Sequence, residues 1–121
     1  MQLIVRDVSV SAPWYCTVLG LEQFTKGDID SGPYVGLRHP TARFVVGMQT
    51  ATPAEADRLG GDGIEHLSFS VADRAELDAH RASLLEQGIA IGEVFEEAVS
   101  YNARLRDPDG KVIELTAPKP R

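Results

Sequence analysis

The sequence predicts an α+β fold made of two copies of a βαβββ unit, and three observations lead to it. From Gly63 to Asp73 the chain alternates, with Leu67, Phe69 and Val71 on one side and His66, Ser68 and Ser70 on the other, the period of a strand packed on one face. The following segment carries Leu77, Leu84 and Leu85 at helical spacing between Asp73 and Gly88. Two strings also recur: Val5-Arg6-Asp7 returns as Val71-Ala72-Asp73 at an offset of 66, and Gly20-Leu21 as Gly88-Ile89 at an offset of 68.

Leu3 and Val5 open the first strand. Ser11 is the expected N-cap of a helix with Pro13 in its first turn, Trp14, Tyr15, Val18 and Leu19 as its apolar contacts and Gly20 as its stop. Strands are expected over 21–26, 34–38 and 43–49, with residues 27–33 a turn-rich loop. Residues 50–63, with a proline, an Ala/Glu/Asp patch and several glycines, suit a connector holding one short helical turn.

The pattern then restarts. After the His66 strand comes a helix over 74–87, with Asp73 as cap, Glu76 three residues on as in a capping box, and Gly88 as stop. Strands follow near 89–95, 101–106 and 111–116. Asp107-Pro108-Asp109-Gly110 is a tight turn in which proline fixes φ and glycine supplies the left-handed residue. It sets the last strand so that Ile113 and Leu115 share one face and Val112, Glu114 and Thr116 the other. One domain is expected over 1–121: module one about 1–50, a connector about 51–62 and module two about 63–118.

With 43% hydrophobic and 25% charged residues, the chain can bury one core. No apolar run approaches the roughly 18 to 20 residues of a membrane span, and the first residues lack a signal peptide's basic start, so a cytoplasmic protein without membrane contact is expected. Cys16, alone, can form no internal disulfide or zinc knuckle and reads as a buried helical residue in a reducing compartment. A net charge of -6, with no Lys/Arg cluster longer than two, argues against nucleic acid and fits cationic or neutral ligands better. No serine has a glycine elbow, and Gly60-Gly61-Asp62-Gly63 lacks the lysine of a phosphate loop. His80 reads as a solvated helix residue and His39, before Pro40, as a turn residue.

Val-x-Asp leading into Ser11, Trp14 and Tyr15, then Val18-Leu19-Gly20-Leu21, together with Arg106-Asp107-Pro108-Asp109-Gly110-Lys111-Val112-Ile113-Glu114-Leu115, resembles the vicinal oxygen chelate superfamily. Its members include glyoxalase I, extradiol dioxygenases, fosfomycin-resistance thiol transferases and bleomycin-resistance proteins. The resemblance covers nearly the whole chain. It implies a cup-shaped eight-stranded mixed sheet formed by the two modules, with helices on its outer face, usually completed in a homodimer. It also implies that metal ligands, in the enzymes, come from the first and last strands of each module.

On that resemblance His66, seven residues before Asp73, and Glu114, after the Asp-Pro-Asp-Gly turn, match ligand positions. Module one has neither: seven residues before Asp7 falls ahead of Met1, leaving Gln2 as the nearest polar residue, and the place of Glu114 falls on Val46 or Gly47. The metal set, His66 and Glu114, is therefore incomplete, and a hydrogen-bonded pair inside the cup is the plainer reading. The ligand-binding cleft is expected to include Gln2, Ile4, His66, Ser68, Tyr101, Arg104 and Glu114. The preferred function is a metal-free, cofactor-free homodimer that binds or sequesters a small drug or natural product in an acidic cleft. The alternative is a lyase or dioxygenase using Zn, Ni, Fe or Mn, with the site completed by water, His39 or a partner chain. A vestigial protein without a ligand is a third reading.

Overall fold

The computed structural model describes residues 1–59 and 65–121. The Gly60–Gly63 motif and the start of the His66 stretch, Gly63 and Ile64, lie outside the described residues. The chain divides into two compact units, Met1–Gly63 and Ile64–Arg121.

The first unit runs β1 (Gln2–Val5), α1 (Val8–Leu19), β2 (Glu22–Ile29), β3 (Gly32–Arg38), β4 (Val45–Thr50) and a single-turn α2 (Pro53–Ala56). Its sheet has the order β1-β4-β3-β2, with β1 parallel to β4 and the other pairs antiparallel. Leu3, Val5, Val35, Leu37, Val46 and Met48 are buried on the face that carries α1. The helix meets them with Val8, Ser11, Ala12, Tyr15, Val18 and Leu19, one stripe at three- and four-residue spacing.

The second unit runs β5 (Leu67–Ser70), α3 (Arg74–Glu86), β6 (Phe95–Glu96), β7 (Ser100–Arg106) and β8 (Val112–Pro118), in the sheet order β5-β8-β7-β6. Again the first strand is parallel to the last and the rest are antiparallel. Leu77 and Leu84 of α3 pack toward Ala103, Leu105, Ile113, Leu115 and Ala117, all buried. The α+β class and the doubled strand–helix–strand order are as expected. The single eight-stranded sheet is corrected to two four-stranded mixed sheets, because each unit pairs its own first strand with its own last and no ladder among the described residues joins the two.

The two recurring strings are the two ends of the long helices. Asp7 and Asp73 are the N-caps: Asp7 Oδ1 accepts from the Ser9 amide at 2.9 Å and Asp73 Oδ1 from the Glu76 amide at 2.9 Å. Gly20 and Gly88 adopt positive φ, 68° and 78°, just past the helices. The amide after each reaches back, Leu21 to the Cys16 carbonyl at 3.1 Å and Ile89 to the Leu84 carbonyl at 3.0 Å, which closes a left-handed cap.

Three sequence expectations are corrected. The N-cap of α1 is Asp7, not Ser11, because the apolar stripe begins at Val8 and Ser11 is a small buried member of it. Pro13 consequently lies inside the helix, where it removes the bond to the Ser9 carbonyl. Residues 27–33 are a hairpin rather than a loop, with β2 running to Ile29 and β3 starting at Gly32. The strand near 89–95 shrinks to Phe95–Glu96. Ile91 is buried without a ladder, and Gly92 makes one bond to the Arg104 carbonyl at 2.9 Å.

The turns before β4 and β8 are built alike. Asp107 Oδ1, in a residue 5% exposed, accepts from the amides of Asp109 at 2.9 Å and Lys111 at 2.8 Å. His39 Nδ1 accepts from the amides of Thr41 at 3.1 Å and Ala42 at 2.8 Å. Among the described residues, no helix is long and apolar enough to cross a membrane.

Asp107→Ala strands two backbone donors at a buried turn, and each unsatisfied group costs roughly 1–3 kcal/mol. Urea unfolding should show a larger loss than the roughly 1 kcal/mol expected when the exposed cap is removed in Asp73→Ala. Equal losses would show that the turn does not depend on its side chain.

Candidate functional site

On the face of the second sheet opposite α3, three side chains stand in one register row. Ser68 on β5 and Arg104 on β7 flank Glu114 on the intervening β8. Alternation sends Ile113 and Leu115 into the core and turns Glu114 to the other side, where its side chain remains only 9% exposed. Both carboxylate oxygens are engaged: Ser68 Oγ donates to Oε1 at 2.9 Å and Arg104 Nε to Oε2 at 2.8 Å. The Arg104 guanidinium also lies 5.3 Å from the centre of the Phe95 ring.

Burial alone would push the Glu114 carboxyl up. The hydrogen bonds from Arg104 and Ser68, with the charges of His66 and Arg104, outweigh burial and hold it below the usual carboxylate range. Arg104 is correspondingly raised, chiefly by its bond to Glu114.

His66 Nε2 stands 3.6 Å from Glu114 Oε1, within ion-pair reach but beyond a hydrogen bond. Its Nδ1 is buried with no hydrogen-bond partner among the described residues. That atom lies across the imidazole ring from Glu114, with Glu65 Oε2 3.9 Å away, so it adds no donor on the Glu114 side. A divalent ion would find two protein donors, one of them already held by a guanidinium. No group of three or more His, Cys, Asp or Glu among the described residues could hold a metal. The described residues do not fit a protein-ligated divalent centre.

Tyr101 is corrected. It has odd parity on β7, with Ala103 and Leu105, and so lies on the helix face, where the Arg74 guanidinium of α3 sits 5.0 Å from its ring centre. His66, Ser68, Arg104 and Glu114 are brought together, whereas Gln2 and Ile4 belong to the other unit. Cys16 is half-buried, and burial pushes its thiol up, away from the reactive thiolate.

In the first sheet the corresponding row is Gln2, Gly47, Gly36 and Thr25 across β1, β4, β3 and β2. Register thus decides which residue takes the place of Glu114: it is Gly47, and Gly36 takes that of Arg104. Two side-chain-free positions lie side by side. Gln2 reaches across Gly47, where a Cβ would collide with its Oε1, and donates from Nε2 to Gln49 Oε1 at 3.1 Å. Ile4 occupies the next row, paired with Gln49.

A bulge between Gln23 and Thr25 turns Phe24 and Thr25 to the same side, both over Gly36. The result is a cavity of about 400 Å³ with a floor at Gly36 and Gly47, and Gln2, Phe24, Tyr34 and Gln49 around it. No lining residue carries a charge. Phe24, Ile29 and Val45 at its margin are exposed large apolar side chains. Sequence reasoning found Gln2 but missed Phe24, Tyr34 and the glycine pair. The available signal was two glycines inside strand patterns, which mark bulges or close approach.

The model of the Glyoxalase/Bleomycin resistance protein/Dioxygenase superfamily matches residues 1–115. A catechol-2,3-dioxygenase of Bacillus subtilis (strain 168) is 34% identical over 121 residues, 99% of this chain and 41% of that protein. The chain spans less than half the length of the curated relatives it matches. Among solved structures, a glyoxylase/bleomycin resistance protein/dioxygenase domain from Frankia sp. EAN1pec superposes with a TM-score of 0.84 at 24% identity, covering 98% of this chain and 94% of that one. An antibiotic-binding protein from Streptomyces sp. CB03234 superposes with a TM-score of 0.73 at 20% identity, covering 98% and 93%. These two likenesses show the shared fold.

The lowered carboxyl of Glu114 sets a pH dependence. Its stabilising effect is complete above the unfolded carboxylate value of about 4.3 and is lost as pH falls through its lower folded value. Glu114→Gln should therefore be clearly less stable than wild type at pH 7, with the gap closing toward pH 3 in urea titrations. A gap independent of pH would mean that the charge of Glu114 is not what the fold uses.

Proposed function

The chain belongs to the glyoxalase/bleomycin resistance protein/dioxygenase superfamily, and from that premise we propose that it binds and sequesters a small organic molecule, a drug or natural product, without a metal. The observation that supports this most is the uncharged cavity floored by Gly36 and Gly47. Adjacent glycines leave peptide planes bare over the width of two strands, a surface suited to a flat ring system. Phe24 and Tyr34 offer aromatic contact, and the Gln2–Gln49 amide pair offers donors and acceptors at one edge. The acidic cleft expected from net charge gives way in this reading to a neutral one, since the cavity lining is uncharged and Glu114 is paired with Arg104.

The second reading, a divalent-metal lyase or dioxygenase, is favoured by the approach of His66 to Glu114 and by the name of the 34%-identical relative. It requires ligands from beyond the described residues or from a partner chain. In either reading we propose a homodimer, supported by the exposed Phe24 and Ile29 on the edge strand β2. Light scattering should give twice the chain mass, and a monomer at micromolar concentration would sink the dimer.

The binding reading is tested by thermal shift of metal-stripped protein in EDTA against planar aromatic antibiotics. A ligand at about 100 times its dissociation constant adds about 2.7 kcal/mol to stability, a shift of several degrees. Gly47→Ala, whose new Cβ meets the flexible end of Gln2, should weaken that ligand at least about tenfold, or 1.4 kcal/mol, with the circular dichroism unchanged. Compounds that bind only after a divalent ion is added would hand the site to the metal reading.

A further inference from the structure

We infer that β2 is the surface through which two copies of this chain join, pairing antiparallel about a two-fold axis at Gly27 so that Lys26 of each protomer faces Asp28 of the other. The inference rests on the homodimer reading above and names its surface and register.

Proteins keep exposed strand edges short or blunted, because a long one is a template for another strand. The other edges of the two sheets, β1, β5 and β6, hold four, four and two residues. β2 holds eight, and all of them but Gly27 are exposed. Its bulge lies between Gln23 and Thr25, so residues 25–29 form a regular run opposite β3.

Pro33 fixes which backbone groups of that run point outward. It has no N–H, so Asp28 opposite it cannot exchange the two bonds of a hydrogen-bonded pair with β3. By alternation the N–H and C=O groups of Lys26 and Asp28 face the open edge, where they have no partner among the described residues. An antiparallel copy has to set these outward residues opposite one another. Centred on residue 26, the pairing puts lysine on lysine; centred on residue 28, it puts aspartate on aspartate. Centred on Gly27, it puts Lys26 opposite Asp28 twice, and opposite charges facing across strands stabilise where like charges repel. Neither side chain has an ion-pair partner in its own chain among the described residues.

The same register bears on the cavity. The axis falls where the strand is barest, since a Cβ at Gly27 would stand 2.6 Å from the Tyr34 Oη. Thr25 and Ile29, which both line the cavity, come opposite one another across the axis. Ile29 of one copy thereby extends the wall of the other's cavity beside Thr25.

Sedimentation velocity over a dilution series would compare wild type, K26D, D28K and the swap K26D/D28K, each checked for folding by circular dichroism. Each single reversal creates two like-charge contacts and should raise the dimer dissociation constant at least about tenfold. The swap restores opposite charges and should return the constant to near its wild-type value. A second variant, T25C/I29C, has its two thiols about 13 Å apart within one chain but opposite one another across the axis. It should oxidise to a covalent dimer, and T25C alone should not.

A wild-type monomer at micromolar concentration would overturn the homodimer reading and this interface with it. A wild-type dimer that both reversals leave unchanged, that the swap does not rescue, or in which T25C/I29C forms no covalent dimer would overturn this interface alone.

Discussion

A carboxylate on an inner strand with only a tenth of its side chain in contact with water cannot remain charged unless its neighbours satisfy it. Glu114 is in that position, and the open face of the second sheet is arranged around meeting the demand. The hydroxyl comes from β5 and the guanidinium from β7, so one row of side chains ties three strands together at mid-sheet. The same two bonds make the carboxylate's charge locally neutral and occupy its oxygens. They decide how that face is held.

The two units share strand order, parallel pairing, helix caps and turn design, yet their open faces differ in chemistry. In one, the central row is Ser68, Glu114 and Arg104; in the other it is Gln2, Gly47 and Gly36. The buried residues that the strands turn toward the helices are apolar in both. Packing constrains one face of each sheet, while period-two alternation leaves the other free to diverge without disturbing the core. A neutral, glycine-floored hollow and a paired-charge row are two outcomes of that freedom.

Much of this was legible in the residues. The doubled βαβββ order was readable because each repeated string encodes a helix end with its own mechanism, an aspartate cap or a left-handed glycine. The strand phase of Ser68 and of Glu114 followed from alternation. Serine is a common cap, which makes Ser11 a local candidate, but the match of Asp7 to Asp73 points to the residue that caps the helix. For Tyr101 the signal is its parity relative to Arg104, since odd and even positions on β7 face opposite ways. The bulge at Phe24 was not legible, since it depends on how β2 meets β3 rather than on any local pattern. Nor was the pairing of Gly36 with Gly47, which needs cross-strand register.

Every strand ladder among the described residues closes within its own half of the chain, the first using only residues 2–50. On a ribosome that arrangement matters. The first half has all the partners of its sheet, and the helix that covers it, before the second half has been synthesised. Growing chains fold unit by unit from the N-terminus, and unpaired strand edges are where nascent proteins associate wrongly. A sheet that waits for no late strand shortens the interval during which such edges are exposed.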